Sequence, residues 1–210
     1  GYQPDEIGAT IGSRAIGQGQ SLVIEQITVS SSFRWPALDQ DYALLKISEP
    51  LPTTSLVALA SVQDIQALER NNYLTVLGWG QRQTNGGIEE LLQTADVPFV
   101  DANTCASAWR LGFPFIADRI GSELICAGGL AALADTCAGD SGGPLLRLGA
   151  IPEDHRVFGL TSFGEPDCGL SGKPSIYVSA DVIRPFVEQV TQGLLYSAYW
   201  EESYVAQDRA

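Results

Sequence analysis

Methionine is absent from these 210 residues, and the first residue is glycine. Translation starts at methionine, so the sequence is expected to be an internal piece of a longer chain, with any export signal outside it. Basic residues are few: 12 Lys and Arg face 25 Asp and Glu, a net charge of −13. That balance argues against nucleic acid and anionic membrane surfaces as partners, because both repel an acidic protein. No apolar run reaches the ~20 residues of a membrane-spanning helix. Cysteine is sparse: four residues at positions 105, 126, 137 and 168, none in C-x-x-C spacing. Histidine occurs once, at His155. One imidazole and four scattered thiols do not make a zinc ligand set, so neither a metal nor another cofactor is expected. Four cysteines permit three disulfide pairings, and their spacing does not choose among them.

What the chain does have is a 45% apolar share, enough to bury a sizeable core. Short β-branched runs recur between Gly and Pro turns. Ser21 to Ser30, Tyr42 to Ile47, Tyr73 to Leu77 and Ser175 to Ser179 read as strands. Leu145 to Leu148 and Val157 to Thr161 read as two arms of a hairpin. Strands at this density suggest a barrel or a sandwich. Two helices stand out. Asp101 is placed to cap one that runs through Cys105 to Trp109. Asp181 to Gly193 carries Val182, Ile183, Phe186, Val187 and Val190 at helical spacing. Ser61 to Arg70 also reads as helix by pattern.

The densest chemistry lies in Asp135 to Leu145, D-T-C-A-G-D-S-G-G-P-L. A serine nucleophile needs backbone N–H groups aimed at the oxygen that turns negative as it attacks a carbonyl. Gly139 and Gly142 free the backbone on both sides of Ser141 to form such a donor loop. Gly139, Ser141 and Gly143 alone give only the weak pattern G-x-S-x-G; the full eleven residues are far more specific.

With this loop the chain resembles the trypsin-like serine endopeptidases of the chymotrypsin fold. The resemblance runs from about Asp41 to the helix ending near Gly193. It implies an all-β fold of two antiparallel Greek-key β-barrels, the first incomplete here, plus a C-terminal helix. Residues 1–60 are then the remainder of the first barrel, 61–193 the second barrel with the helix, and 194–210 an acidic tail or linker. Ser141 takes the nucleophile's place, and the N–H groups of Gly139 and Ser141 form the oxyanion hole. Asp41, in Asp41-Tyr42-Ala43-Leu44-Leu45, matches the aspartate that holds the catalytic imidazole in one tautomer. Ser162 supports Asp41, and its strand pairs with the substrate backbone.

The same resemblance puts Asp135 at the base of the primary specificity pocket and implies cleavage after Arg or Lys. Gly164 leaves room for the substrate chain, while Ser175 stands where glycine is common and narrows the slot. Asp140 receives the new α-ammonium group of an activated zymogen. The implied disulfides are Cys105–Cys126 and Cys137–Cys168, which suit a secreted protein in an oxidising compartment. Implied partners are protein or peptide substrates and protein protease inhibitors.

The general base is the difficulty, because a serine hydroxyl is a poor nucleophile without one. His155 lies in the turn of the 145–161 hairpin, roughly 15 Å along a strand from Ser141 at ~3.3 Å per residue. It is read as a loop histidine. The family's catalytic histidine precedes the aspartate, and no histidine precedes Asp41. The base is therefore expected on an N-terminal segment of the same precursor, and the isolated chain is expected to be inactive. Two other readings stand beside this one: a non-catalytic homologue that binds or regulates, and an enzyme with lysine or another group as base.

Overall fold

A computed structural model describes residues 2–51, 56–70, 72–129, 134–168 and 172–193. The expected acidic tail, 194–210, lies outside the described residues.

The first part of the chain forms two short ribbons. β1 (Ala9–Ile11) pairs antiparallel with β2 (Gln20–Leu22). β3 (Ile24–Val29) pairs antiparallel with β4 (Ala43–Ile47). The run Ser21 to Ser30 thus divides at Val23, and its two halves take different partners. Neither ribbon closes into a ring among the described residues. β5 (Ala58–Leu59) and α1 (Val62–Gln66) follow. Ser61 and Asp64 cap α1 reciprocally, the hydroxyl accepting the Asp64 N–H and the carboxylate accepting the Ser61 N–H. The 61–70 pattern is therefore helical, over a shorter span.

Six strands make the second part: β6 (Tyr73–Gly78), β7 (Gln93–Val100), β8 (Leu124–Ala127), β9 (Pro144–Arg147), β10 (Arg156–Phe163) and β11 (Ser175–Ser179). Each pairs antiparallel with two others in the cycle β6–β7–β8–β11–β10–β9–β6. The cycle is a closed barrel with no free edge. Its inward side chains include Leu74, Val76, Val97, Leu145, Phe158 and Tyr177, in one buried cluster. The all-β architecture with an unclosed first part, a closed second barrel and a C-terminal helix is as expected.

The helices pack outside the barrel. α2 (Ala102–Arg110) starts at Asp101, whose carboxylate accepts the Thr104 N–H at 3.1 Å. The Thr104 hydroxyl adds a second bond at 2.7 Å, and Arg70 pairs with the same carboxylate. These bonds, the Thr104 hydroxyl first, pull the Asp101 carboxyl down to about 2. α3 (Pro114–Ala117) follows, and α4 (Ala180–Thr191) closes the described chain. Ser179, not Asp181, is the residue before the first turn of α4. α4 buries Ile183 and Val187 against a cluster that holds Trp109, Ile176 and Tyr42. The Trp109 indole N–H is buried but satisfied, donating to the Pro174 carbonyl at 3.0 Å. Both expected disulfides are formed, Cys105–Cys126 and Cys137–Cys168. No helix among the described residues is long and apolar enough to cross a membrane.

Candidate active site

Ser141 sits in a turn between Asp135 and the start of β9. The turn is locked to β10 by two backbone bonds: Gly142 N–H to the Thr161 carbonyl at 2.8 Å, and Thr161 N–H to the Gly143 carbonyl at 2.9 Å. Gly139 and Gly142 have φ of +97° and +79°, left-handed values that strain any residue with a Cβ. Among the described residues, the Gly139 and Ser141 N–H groups donate to no protein acceptor. Ser141 itself is exposed.

Asp41 lies two residues before β4 and 100 residues before Ser141, yet Asp41 and Ser141 line one cavity of about 450 Å³. Val29, Phe33, Leu45 and Leu160 give that cavity apolar walls. Ser162 reaches Asp41 from β10, its hydroxyl donating to Oδ2 at 2.7 Å. The β10–β11 register shifts between Thr161 and Phe163, so Ser162 is the extra residue of a bulge. A bulge turns one side chain away from the alternating pattern, which aims this hydroxyl at Asp41. Tyr42 steadies the same strand: its ring meets Phe186 of α4 edge-on at 5.0 Å, and its hydroxyl donates to Gln40 Oε1 at 3.0 Å.

A second cavity of about 260 Å³ opens beside Ser141, lined by Thr136, Ser162, Phe163 and Gly164 among others. Asp135 and Ser175 do not line this groove. Asp135 instead lines a neighbouring cavity of about 280 Å³, and Thr136 and Cys137 line both. Burial in that wall pushes the Asp135 carboxyl up from its ordinary value, against the opposing pull of bonds from Ser175, Thr136 and Gly129. Ser175 is only 3% exposed. Its hydroxyl faces Gly164, 3.0 Å from where a Cβ there would stand. Ser175 also hydrogen-bonds the Asp135 carboxylate, a link its position in the sequence does not announce.

Asp140 lines the Asp135 cavity and neither of the two cavities that Ser141 lines. Its Oδ1 accepts the Gly80 N–H at 2.8 Å and its Oδ2 the Cys137 N–H at 2.9 Å. Gly78 and Gly80 flank Trp79, and a Cβ on either would collide with this carboxylate. Gly78 and Gly80 thus form the cradle of Asp140. His155 stays in its own loop, where Nδ1 accepts the Gly149 N–H at 3.0 Å. It lines neither cavity that Ser141 lines.

The trypsin family profile matches residues 4–187. The chain belongs to the trypsin family. Among its relatives, this trypsin-family chain is 34% identical to chymotrypsin-like elastase family member 1 of Rattus norvegicus, over 73% of the chain and 56% of that protein. It is 30% identical to transmembrane protease serine 11C of Mus musculus, over 80% of the chain and 38% of that protein. It is 29% identical to trypsin 5G1 of Aedes aegypti, over 82% of the chain and 61% of that protein. The trypsin-family chain therefore spans less than two thirds of the length of these relatives.

Arg119 is a residue near the site that the sequence did not flag. It stands between Cys105 and Cys126, and nothing local marks it. Besides Glu123 on its own segment, its partners are two carbonyls and a carboxylate about 80 positions away.

Proposed function

We propose that this chain is a C-terminal portion of a secreted serine endopeptidase that cleaves after Arg or Lys by an acyl-enzyme mechanism. The observation that carries the reading is the meeting of Ser141 and Asp41 at one cavity, with Ser162 bonded to Asp41. Ser141 Oγ attacks the scissile carbonyl carbon, and a general base takes the hydroxyl proton. The oxygen that becomes negative accepts from the Gly139 and Ser141 N–H groups. Collapse of the tetrahedral intermediate breaks the C–N bond, and the base returns its proton to the departing amine. Water, deprotonated by the same base, then releases the acid and restores Ser141.

In this reading the base is a histidine carried by an N-terminal segment of the precursor. The apolar cavity between Asp41 and Ser141 has room for an imidazole and its supporting chain. Asp41 orients that imidazole and stabilises its charged form. Asp135 selects a cationic side chain, with Ser175 and Gly164 shaping the slot. Asp140 awaits an α-ammonium group released by zymogen cleavage, and the cavity it lines is the place for that terminus. Protein protease inhibitors that mimic substrate are partners in the same groove. Without the base, the 210 residues alone have no useful activity.

The competing reading is a non-catalytic homologue, favoured by one observation: the chain's single histidine lies apart from Ser141. Labelling of the full-length natural protein by an organophosphonate serine reagent decides between the two. The peptidase reading expects Ser141 to be labelled and Ser141→Ala to abolish labelling. No labelling, with no histidine found upstream of Gly1 by intact mass and N-terminal sequencing, leaves the homologue.

A further inference from the structure

Residues 34–40 form a tight loop that leads directly into Asp41. Arg34 and Asp39 form an antiparallel bridge, and the Leu38 N–H donates to the Arg34 carbonyl at 2.8 Å. Leu38 and Gln40 have φ of +54° and +44°. Neither is glycine, so both occupy a conformation that persists only where the surroundings enforce it. Within the loop's own strand, Gln40 Oε1 accepts from the Ser30 and Tyr42 hydroxyls at 2.7 and 3.0 Å. On the far side the enforcing group is Arg119, from the segment between α3 and β8.

The Arg119 side chain is only 14% exposed. Nη1 donates to the Ala37 carbonyl at 3.0 Å and meets Asp39 Oδ1 at 3.1 Å. Nη2 donates to the Leu38 carbonyl at 3.1 Å. Nε donates to Glu123 Oε2 at 3.0 Å, which fixes the fork to its own segment. One planar guanidinium thus binds three consecutive residues of the loop, with Asp41 two positions further on. A lysine ammonium, a point charge without the fork, cannot reproduce this.

We infer that Arg119 is a positioning residue that holds the 34–40 loop against the second barrel, so that Asp41 faces Ser162 and Ser141. This rests on the peptidase reading for its catalytic consequence, though not for the clamp itself. Arg119 touches no reacting atom. It acts through the loop, which sets where the Asp41 carboxylate stands relative to the base. Small misplacements of such groups cost up to ~10²-fold in rate.

The test compares Arg119→Lys, Arg119→Ala and Asp39→Asn in the full-length protein. Arg110→Ala, which breaks only an exposed ion pair with Asp118, is the control. Asp39→Asn removes one charge from the clamp while leaving Arg119 and its carbonyl contacts, so one variant stays folded if Arg119 replacements do not. Amide exchange at Leu38 and Tyr42 is expected to speed at least tenfold in both Arg119 variants, and less in Asp39→Asn. The pH profile of Ser141 labelling is the second readout. Displacing Asp41 from the imidazole lowers the base's pKa, so the midpoint should move to lower pH as the plateau rate falls, with lysine rescuing only in part. Exchange within twofold of wild type in every variant overturns the clamp. Faster exchange with an unchanged labelling profile overturns its catalytic consequence. Wild-type protein that is never labelled overturns the peptidase reading instead, and the exchange rates still decide the clamp.

Discussion

The Ser162 hydroxyl donates to Asp41 Oδ2 at 2.7 Å, joining residues 121 positions apart and tying a strand of the closed barrel to the segment that leads into the open ribbon's β4. A hydrogen bond to a charged acceptor is worth about 1.5–3 kcal/mol. Ser162→Ala should therefore loosen Asp41 and slow Ser141 labelling by roughly tenfold or more, while Ser162→Thr, which keeps the hydroxyl, should recover part of the rate. Equal labelling rates for wild type and Ser162→Ala would remove this bond from the mechanism.

Gly80→Ala should place a methyl group on the Asp140 carboxylate. Overpacking of this kind costs about 1–3 kcal/mol. The melting temperature should fall by several degrees, at roughly 2–4 °C per kcal/mol for a chain of this size. A double-mutant cycle with Asp140→Ala isolates the cause: once the carboxylate is gone, Gly80→Ala should cost much less. An equal cost in both backgrounds would place the strain elsewhere.

Asp135 should control the binding of small cations, read by the fluorescence of p-aminobenzamidine. Asp135→Ser should abolish it. Burial raises the carboxyl in the folded protein above its ordinary 3.8. Only the ionised form pairs with a cation, so affinity should begin to fall on acidification before pH 3.8 is reached. Stability runs the opposite way. The native state binds this proton more tightly than the unfolded chain does, so stability declines as pH rises from 3.8 through the raised value. Asp135→Asn should erase that slope in urea titrations.

Asp101 makes a contrasting pair. Its carboxyl stands near 2 in the folded protein, held there first by the Thr104 hydroxyl. The unfolded chain therefore takes up the proton first, and the cap's contribution is present above 3.8 and lost as pH falls toward 2. Asp101→Ala should cost about 0.5–2 kcal/mol at neutral pH, the usual range for a lost N-cap. It should also flatten the acid limb of the urea midpoint. An unchanged midpoint at pH 7 would mean that the Asp101 carboxylate, with its bonds to Thr104 and Arg70, does not hold the start of α2.

Local signals carried far into this fold. Asp101 announces α2 because a side-chain acceptor beside an apolar helical pattern has few other uses, and Ser175 to Ser179 is a strand over its whole length. β7 and β8 were not read. Pro98 interrupts the first pattern, and the second is a continuous buried run whose period does not tell strand from helix. The Ser141 turn stands out in the sequence because its candidate chemistry is compressed into eleven adjacent residues. Arg119, the Gly78–Gly80 cradle and the Ser175–Asp135 bond do not, since each depends on groups brought together from distant positions. Spacing along the chain carries no information about a guanidinium that meets carbonyls some 80 residues upstream.

The ring β6–β11 completes its own hydrogen bonding, whereas the β1–β2 and β3–β4 ribbons each have a single strand partner. Opening a ribbon breaks fewer strand pairings than opening the ring, so amide exchange is expected to be faster in the ribbons than in the ring. Ser141 is tied to the ring and Asp41 follows a ribbon strand. The pair is assembled only while the ribbon is docked, and any ligand that bridges them binds with an affinity scaled by that docked fraction. A ligand laid across both parts would thus favour the population in which Asp41 and Ser141 meet.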